Sequence, residues 1–141
     1  MNRPRGEFHN ALARTYKPFR RPLLWRGLWT LGIAVVVVVS LMPAPDLPKL
    51  PQGSDKLEHF LAYAVLAAGA VQLYAKRFAL FSACVCLALL GLGLEYAQGA
   101  LTSTRLRDGG DALANTLGVL AGLATQFTPW RDALLRFDTR R

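Results

Sequence analysis

The sequence predicts an all-α fold, a polytopic membrane protein built as a four-transmembrane-helix bundle. Three observations predict it. Hydrophobic residues make up 52% of the 141-residue chain and charged residues only 18%, below the roughly 25% of an ordinary soluble domain. The apolar residues come in long blocks separated by short polar or proline-rich connectors. The excess of positive charge, +8 overall, lies in the two terminal segments rather than along the chain.

That charge distribution argues against nucleic acid and for anionic lipid headgroups as the nearer partner. Cys84 and Cys86 lie inside one apolar run. Two residues apart on a helix point about 200° away from each other, which excludes a disulfide between them, and no CxxC pair offers metal-ligand spacing.

The elements follow in order. Residues 1–21 form a basic cytoplasmic tail with Arg3, Arg5, Arg14, Lys17, Arg20 and Arg21. Phe8, Leu12, Tyr16 and Phe19 give part of it an amphipathic spacing suited to headgroups, against which Pro18 and simple disorder weigh. The transmembrane domain, residues 22–128, opens with a helix over about 23–42. It is too long for a signal-peptide core and is read as a retained span. Trp25 and Trp29 suit the interfacial belt and Arg26 can snorkel. Five consecutive valines, Val35 to Val39, would suggest a strand in water, but a lone strand in lipid leaves its backbone unsatisfied. Pro43, Pro45, Pro48 and Pro51 make a stiff connector.

The second helix covers about 56–75, with Asp55 and Glu58 at capping-box spacing and Lys76-Arg77 at its carboxyl end. The third covers about 78–101, where Gly91, Gly93 and Gly99 permit close helix approach. The fourth covers about 110–127, with Gly118 and Gly122 as a small-xxx-small packing face. Pro129 stops it, and residues 129–141 form a second basic tail.

Thirteen of the seventeen Lys and Arg residues fall in the amino-terminal segment through Arg26, the Lys76-Arg77 turn and the carboxyl-terminal tail, so the positive-inside rule puts both termini in the cytoplasm. Three polar stretches then share the outer side: the start of the second helix, the end of the third and the start of the fourth. Asp55, Lys56, His59 and Tyr63 fall within an arc of about 100°. Glu95 lies about 9 Å inside the end of its helix, where a bare carboxylate is costly. It must be protonated or paired, with Lys56, His59, Arg105, Arg107 or the nearby Gln98 in reach. Asp108, Asp111, Asn115 and Gly118 fall within roughly 80° of one another, and Asn115 is about 6 Å deeper than Asp111, too deep for a cap.

Each residue also has a structural reading. His59 can be an interfacial side chain, Arg105 and Arg107 headgroup anchors, and Asp108 and Asp111 first-turn acids favoured by the helix dipole. Asn115 can be an interhelical hydrogen bond. The functional readings are limited by what is missing from the sequence: no Ser-His-Asp order, HExxH or Gly-rich phosphate loop is present. Carboxylates with one His can hold a divalent cation, perform acid–base chemistry on a lipid-linked substrate or relay protons. Arg105 and Lys56 can grip phosphate.

Asp55-Lys56-x-x-His59-Phe60-x-x-Tyr63, Glu95-x-x-Gln98 and Arg105-x-x-Asp108-x-x-Asp111-x-x-x-Asn115-x-x-Gly118, in that order, resemble the VanZ-like family of small bacterial membrane proteins. The resemblance covers residues 55 to 118, and the chain departs from it by its shortness, its Pro-rich connector and Gly109-Gly110 inside the third motif. It implies a bacterial cytoplasmic (inner) membrane protein with about four or five spans. The namesake is associated with low-level resistance to the glycopeptide teicoplanin. The expected function is binding or processing of an anionic envelope lipid or lipid-linked cell-wall precursor, with an effect on glycopeptide sensitivity. In that reading His59, Glu95, Asp108 and Asp111 handle protons or a cation. Asp55, Lys56, Tyr63, Gln98, Arg105 and Asn115 bind and orient. The alternatives are a small proton-coupled transporter and a structural subunit docking a membrane partner.

Overall fold

The computed structural model describes residues 15–42, 53–101 and 109–140. Among them the chain is all-helical, with four long helices: α1 (Pro22–Leu41), α2 (Ser54–Leu73), α3 (Arg77–Leu101) and α4 (Gly109–Ala124). Two 3-10 turns, Thr125–Phe127 and Pro129–Asp132, lead into a last helix, α5 (Ala133–Thr139). The long helices lie within three residues of the ranges expected from the sequence.

Local sequence explains the boundaries. Pro22 opens α1, where its missing amide would have had no partner anyway. Gly53 caps α2 with φ of 91°, a left-handed conformation that a residue with a Cβ adopts only under strain. No side chain caps this helix. Asp55 therefore sits inside the first turn, and the expected capping box gives way to the glycine turn. At the other end of α2, the amide of Lys17 donates to the carbonyl of Leu73 at 2.9 Å, and that of Ala75 to Thr15 at 2.9 Å. These bonds tie the segment before α1 to the α2–α3 turn.

Among the described residues, two helices are long and apolar enough to cross a membrane, α1 over Pro22–Leu41 and α3 over Arg77–Ala100. The sequence expected four. The first turns of α2 carry Asp55, Lys56 and Glu58, and α4 is only 16 residues long, about 24 Å against a hydrocarbon core of roughly 30 Å. Both features pull these two helices below the length and hydropathy of a plain span.

Helix α2 is the centre of the bundle, touching each of the other helices, and its pairing with α4 is the most extensive. Two glycines allow this. A Cβ on Gly118 would strike the carbonyl oxygen of Phe60, and one on Gly122 the carbonyl oxygen of Ala64 and, at 2.7 Å, the Cβ of Ala67. The backbones are thus in direct contact, as the small-xxx-small spacing implied. Gly91 serves differently: its missing Cβ makes room for Asn115 and the Tyr63 ring. Gly93 faces open space and has no part in close approach. Leu66, Ala67, Ala70 and Val71 of α2, Leu80, Cys84 and Leu87 of α3, and Val119 of α4 form the core. The opposite sides of α1 and α3 leave Leu28, Leu31, Val35, Val38, Phe78, Phe81 and Leu89 exposed.

Candidate functional site at the polar end of the bundle

The helices alternate in direction, so the end of α1, the start of α2, the end of α3 and the start of α4 gather at one pole. The sequence-predicted residues meet there. Lys56 Nζ lies 3.2 Å from Asp111 Oδ1, joining α2 to α4. One turn deeper, His59 Nδ1 lies 3.1 Å from Asn115 Oδ1, joining the same helices again. Gln98 Nε2 donates to the carbonyl of Ser40 at 2.7 Å, so α3 satisfies one of the last carbonyls of α1, which have no partner within their own helix.

Burial deepens along this set. Asp111, Gln98, Glu95 and Asn115 are all buried, Asn115 with 2% of its surface exposed. Tyr63 is the most enclosed, at 1%, and its hydroxyl has no hydrogen-bond partner among the described residues. A buried hydroxyl left unsatisfied costs about 1–3 kcal/mol, so its position asks for an explanation. Asp55, by contrast, is exposed and stands on the rim. Arg105 and Asp108 lie outside the described residues, as do most of the amino-terminal tail and the Pro-rich connector.

A cavity of about 190 Å³ opens beside this set, between α1 and α2. Its α1 wall is Val35, Val36, Val39 and Ser40; its α2 wall is Glu58, His59, Ala62 and Tyr63. Sequence reasoning expected a polar pocket among the second, third and fourth helices. There Lys56 pairs with Asp111 and His59 with Asn115 across the α2–α4 seam, and the cavity lies one seam away, with His59 and Tyr63 common to both. Glu58 and Ser40 were missed as contributors. Each carried a signal: Glu58 adjoins His59, and Ser40 is the only polar side chain after Thr30 in α1.

The arrangement sets the chemistry open to His59. With the Asn115 amide oxygen turned to the ring, Nδ1 carries the hydrogen and donates it, and in the neutral ring Nε2 holds the lone pair. His59 stands on the wall of a cavity faced by Val35, Val36, Val39 and Ser40. Among the described residues no three His, Cys, Asp or Glu side chains are grouped to share a metal ion.

At the opposite, basic pole the polar contacts serve architecture. Buried Lys17 donates to the carbonyls of Val71 and Arg131 and pairs with Asp132 at 2.8 Å. Asp138 accepts from the Trp25 indole at 2.9 Å and from the amides of Arg20 and Arg21. Gln72 bridges the Trp130 carbonyl and the Leu134 amide. Residues 129–140, read from sequence as a basic tail, are thus locked onto α2 and the segment before α1. No family model, curated protein or solved structure matches the chain.

Proposed function

We propose that this chain is a VanZ-like integral membrane protein that binds or processes an anionic envelope lipid, or a lipid-linked wall precursor, at the polar end of its bundle. All four long helices would cross the bacterial inner membrane with both termini in the cytoplasm. The apolar outer faces of α1 and α3 support immersion in lipid, because a soluble monomer rarely exposes such continuous apolar surface. The 3-10 turn Thr125–Phe127 continues α4, adding about 6 Å and bringing it to about 30 Å.

The observation that carries the reading is Tyr63, which lines the cavity shared with His59 and whose buried hydroxyl has no partner among the described residues. A ligand oxygen at this place would satisfy the hydroxyl and meet the basic nitrogen. The valine wall suits a lipid chain, and Lys56 and Arg105 are the cations for a phosphate. A divalent cation at this pole would need Asp108 to complete a ligand group with Asp111. A change in glycopeptide sensitivity would follow from altered handling of such a precursor.

The direct pairings Lys56–Asp111, His59–Asn115 and Gln98–Ser40 favour a second reading, in which the cluster holds the helices for docking to a membrane partner. A proton-coupled transporter is less supported, since Gln72 at the basic pole is spent on bonds to the last segment.

The test is the lipid and metal content of protein purified in native-lipid discs, for wild type, His59→Ala and Asp111→Ala. A lipid or cation kept by wild type and lost from both variants supports the site. Identical contents in three folded proteins would sink it and leave the structural reading.

A further inference from the structure

A second and larger space lies on another seam. Between α1 and α3 runs a groove of about 620 Å³, more than three times the cavity at the polar end. Trp29 and Ile33 line it on α1, Tyr74 closes it toward the basic pole, and Phe78, Cys86 and Leu90 mark its length on α3. From Phe78 to Leu90 is about 18 Å at 1.5 Å per residue, close to the roughly 15 Å of one leaflet's hydrocarbon. The two helices that frame it are the two long and apolar enough to cross a membrane.

A cation stands behind the basic end of this groove. Arg26 lies one turn from Trp29 on the same face of α1. Its guanidinium stacks over the Tyr16 ring, with Cζ 4.1 Å from the centroid, and Tyr16 in turn packs on Tyr74, with centroids 4.8 Å apart. The Arg26 Nε is buried and has no hydrogen-bond partner among the described residues. The two carboxylates among the described residues at this pole are engaged elsewhere. Asp132 is held by Lys17 and Arg131, and Asp138 by Trp25 and the amides of Arg20 and Arg21. Arg77, at the start of α3, adds an exposed cation at the same pole.

We propose that the α1–α3 groove holds one acyl chain of an anionic phospholipid of the cytoplasmic leaflet, with the phosphate on Arg26. An apolar channel of one leaflet's length, with a guanidinium stacked behind the tyrosine that closes its basic end, matches an acidic lipid in both halves. Stacking on Tyr16 fixes the guanidinium plane, so it is already ordered when the phosphate arrives. The site rests on α1 and α3 crossing the membrane and is independent of what the polar end binds.

The experiment uses the full chain in discs containing equal amounts of phosphatidylglycerol and phosphatidylcholine, followed by native mass spectrometry of the released protein. Wild type should retain one phosphatidylglycerol per chain, about fivefold over phosphatidylcholine, the scale of one cation at an anionic surface. Arg26→Gln should lose the preference and Arg26→Lys keep most of it. Cys86→Trp, which fills the groove from an exposed position, should retain neither lipid. His59→Ala, at the other pole, should behave as wild type here even where it empties the polar-end cavity. Equal retention of both lipids by wild type, an unchanged preference in Arg26→Gln, or a lipid-free dimer would each overturn the proposal. Thermal melting of every variant separates loss of lipid from loss of fold.

Discussion

His59 and Asn115 meet at 3.1 Å across the seam of α2 and α4, one turn below the Lys56–Asp111 pair on the same two helices. The histidine is half-buried and the asparagine is enclosed, so the amide orients the ring from the protein side. Nitrogen NMR of labelled histidine should show the Nδ1–H tautomer at neutral pH in wild type. Asn115→Leu should abolish that bias and destabilise the protein by about 1–3 kcal/mol, the cost of orphaning a partly buried donor. A ring already in the Nε2–H form in wild type would refute the assignment.

The Lys56–Asp111 pair is lopsided: the lysine side chain is 42% exposed and the aspartate 13%. Removing Lys56 strands a nearly buried carboxylate, whereas removing Asp111 returns an ammonium to water. Lys56→Met should therefore destabilise more than Asp111→Asn in denaturant or thermal melts. The coupling energy from a double-mutant cycle should remain within about 1 kcal/mol and shrink in high salt. The reverse order of the two single variants would contradict the geometry.

Gly118 and Gly122 permit the backbone contact of α2 with α4, and Gly93 does not touch a neighbour. Gly118→Ala and Gly122→Ala should each cost about 1–3 kcal/mol by overpacking, since the atoms they meet are backbone carbonyls that cannot rotate away. Gly93→Ala should be neutral or gain up to about 1 kcal/mol of helix propensity. Equal melting temperatures for all three variants would show that the α2–α4 contact is looser than described.

The closure of the last segment should depend on pH. The hydrogen bond and charge of Lys17 hold the Asp132 carboxyl below the usual carboxylate range, against the opposing effect of burial. Burial pushes the Asp138 carboxyl up, but the Trp25 indole and the amides of Arg20 and Arg21 outweigh it and also hold it low. A folded-state pKa below the unfolded one gives stability that is present above about pH 4 and fades as pH falls through the lower folded values. Limited proteolysis of residues 129–140 should stay slow from neutral pH to about 4 and accelerate below it. Asp138→Ala should accelerate cleavage at neutral pH, and an unchanged rate would show that the segment is held by other contacts.

Much of the architecture was legible because it depends on periodicity and punctuation. The apolar blocks, Pro22, the Pro-rich connector and Pro129 place the four long helices. The spacing of Gly118 and Gly122 marks the face of α4 that meets α2, because a helix puts residues four apart side by side. The same rule placed Asp111 and Asn115 on that face, and Lys56 and His59 together on one face of α2. The Asp55–Glu58 spacing misled, since a glycine in left-handed backbone can start a helix without a side-chain cap.

By itself, then, the sequence determined the four long helices, which of their faces carry polar groups and at which pole these gather, but not the last helix, α5. These follow from local spacing along one chain. Only the tertiary structure decided how the groups pair and where space remains. Lys56 pairs with Asp111, Gln98 reaches the Ser40 carbonyl, and Trp29, which looked like a belt residue, seats its ring against Gly69 and donates to Leu66. The cavities lie on the α1–α2 and α1–α3 seams because α1 packs least tightly, burying Ser40 alone. Pairing and void depend on the rotation and separation of neighbouring helices, and those are set by the packing of side chains distant in sequence.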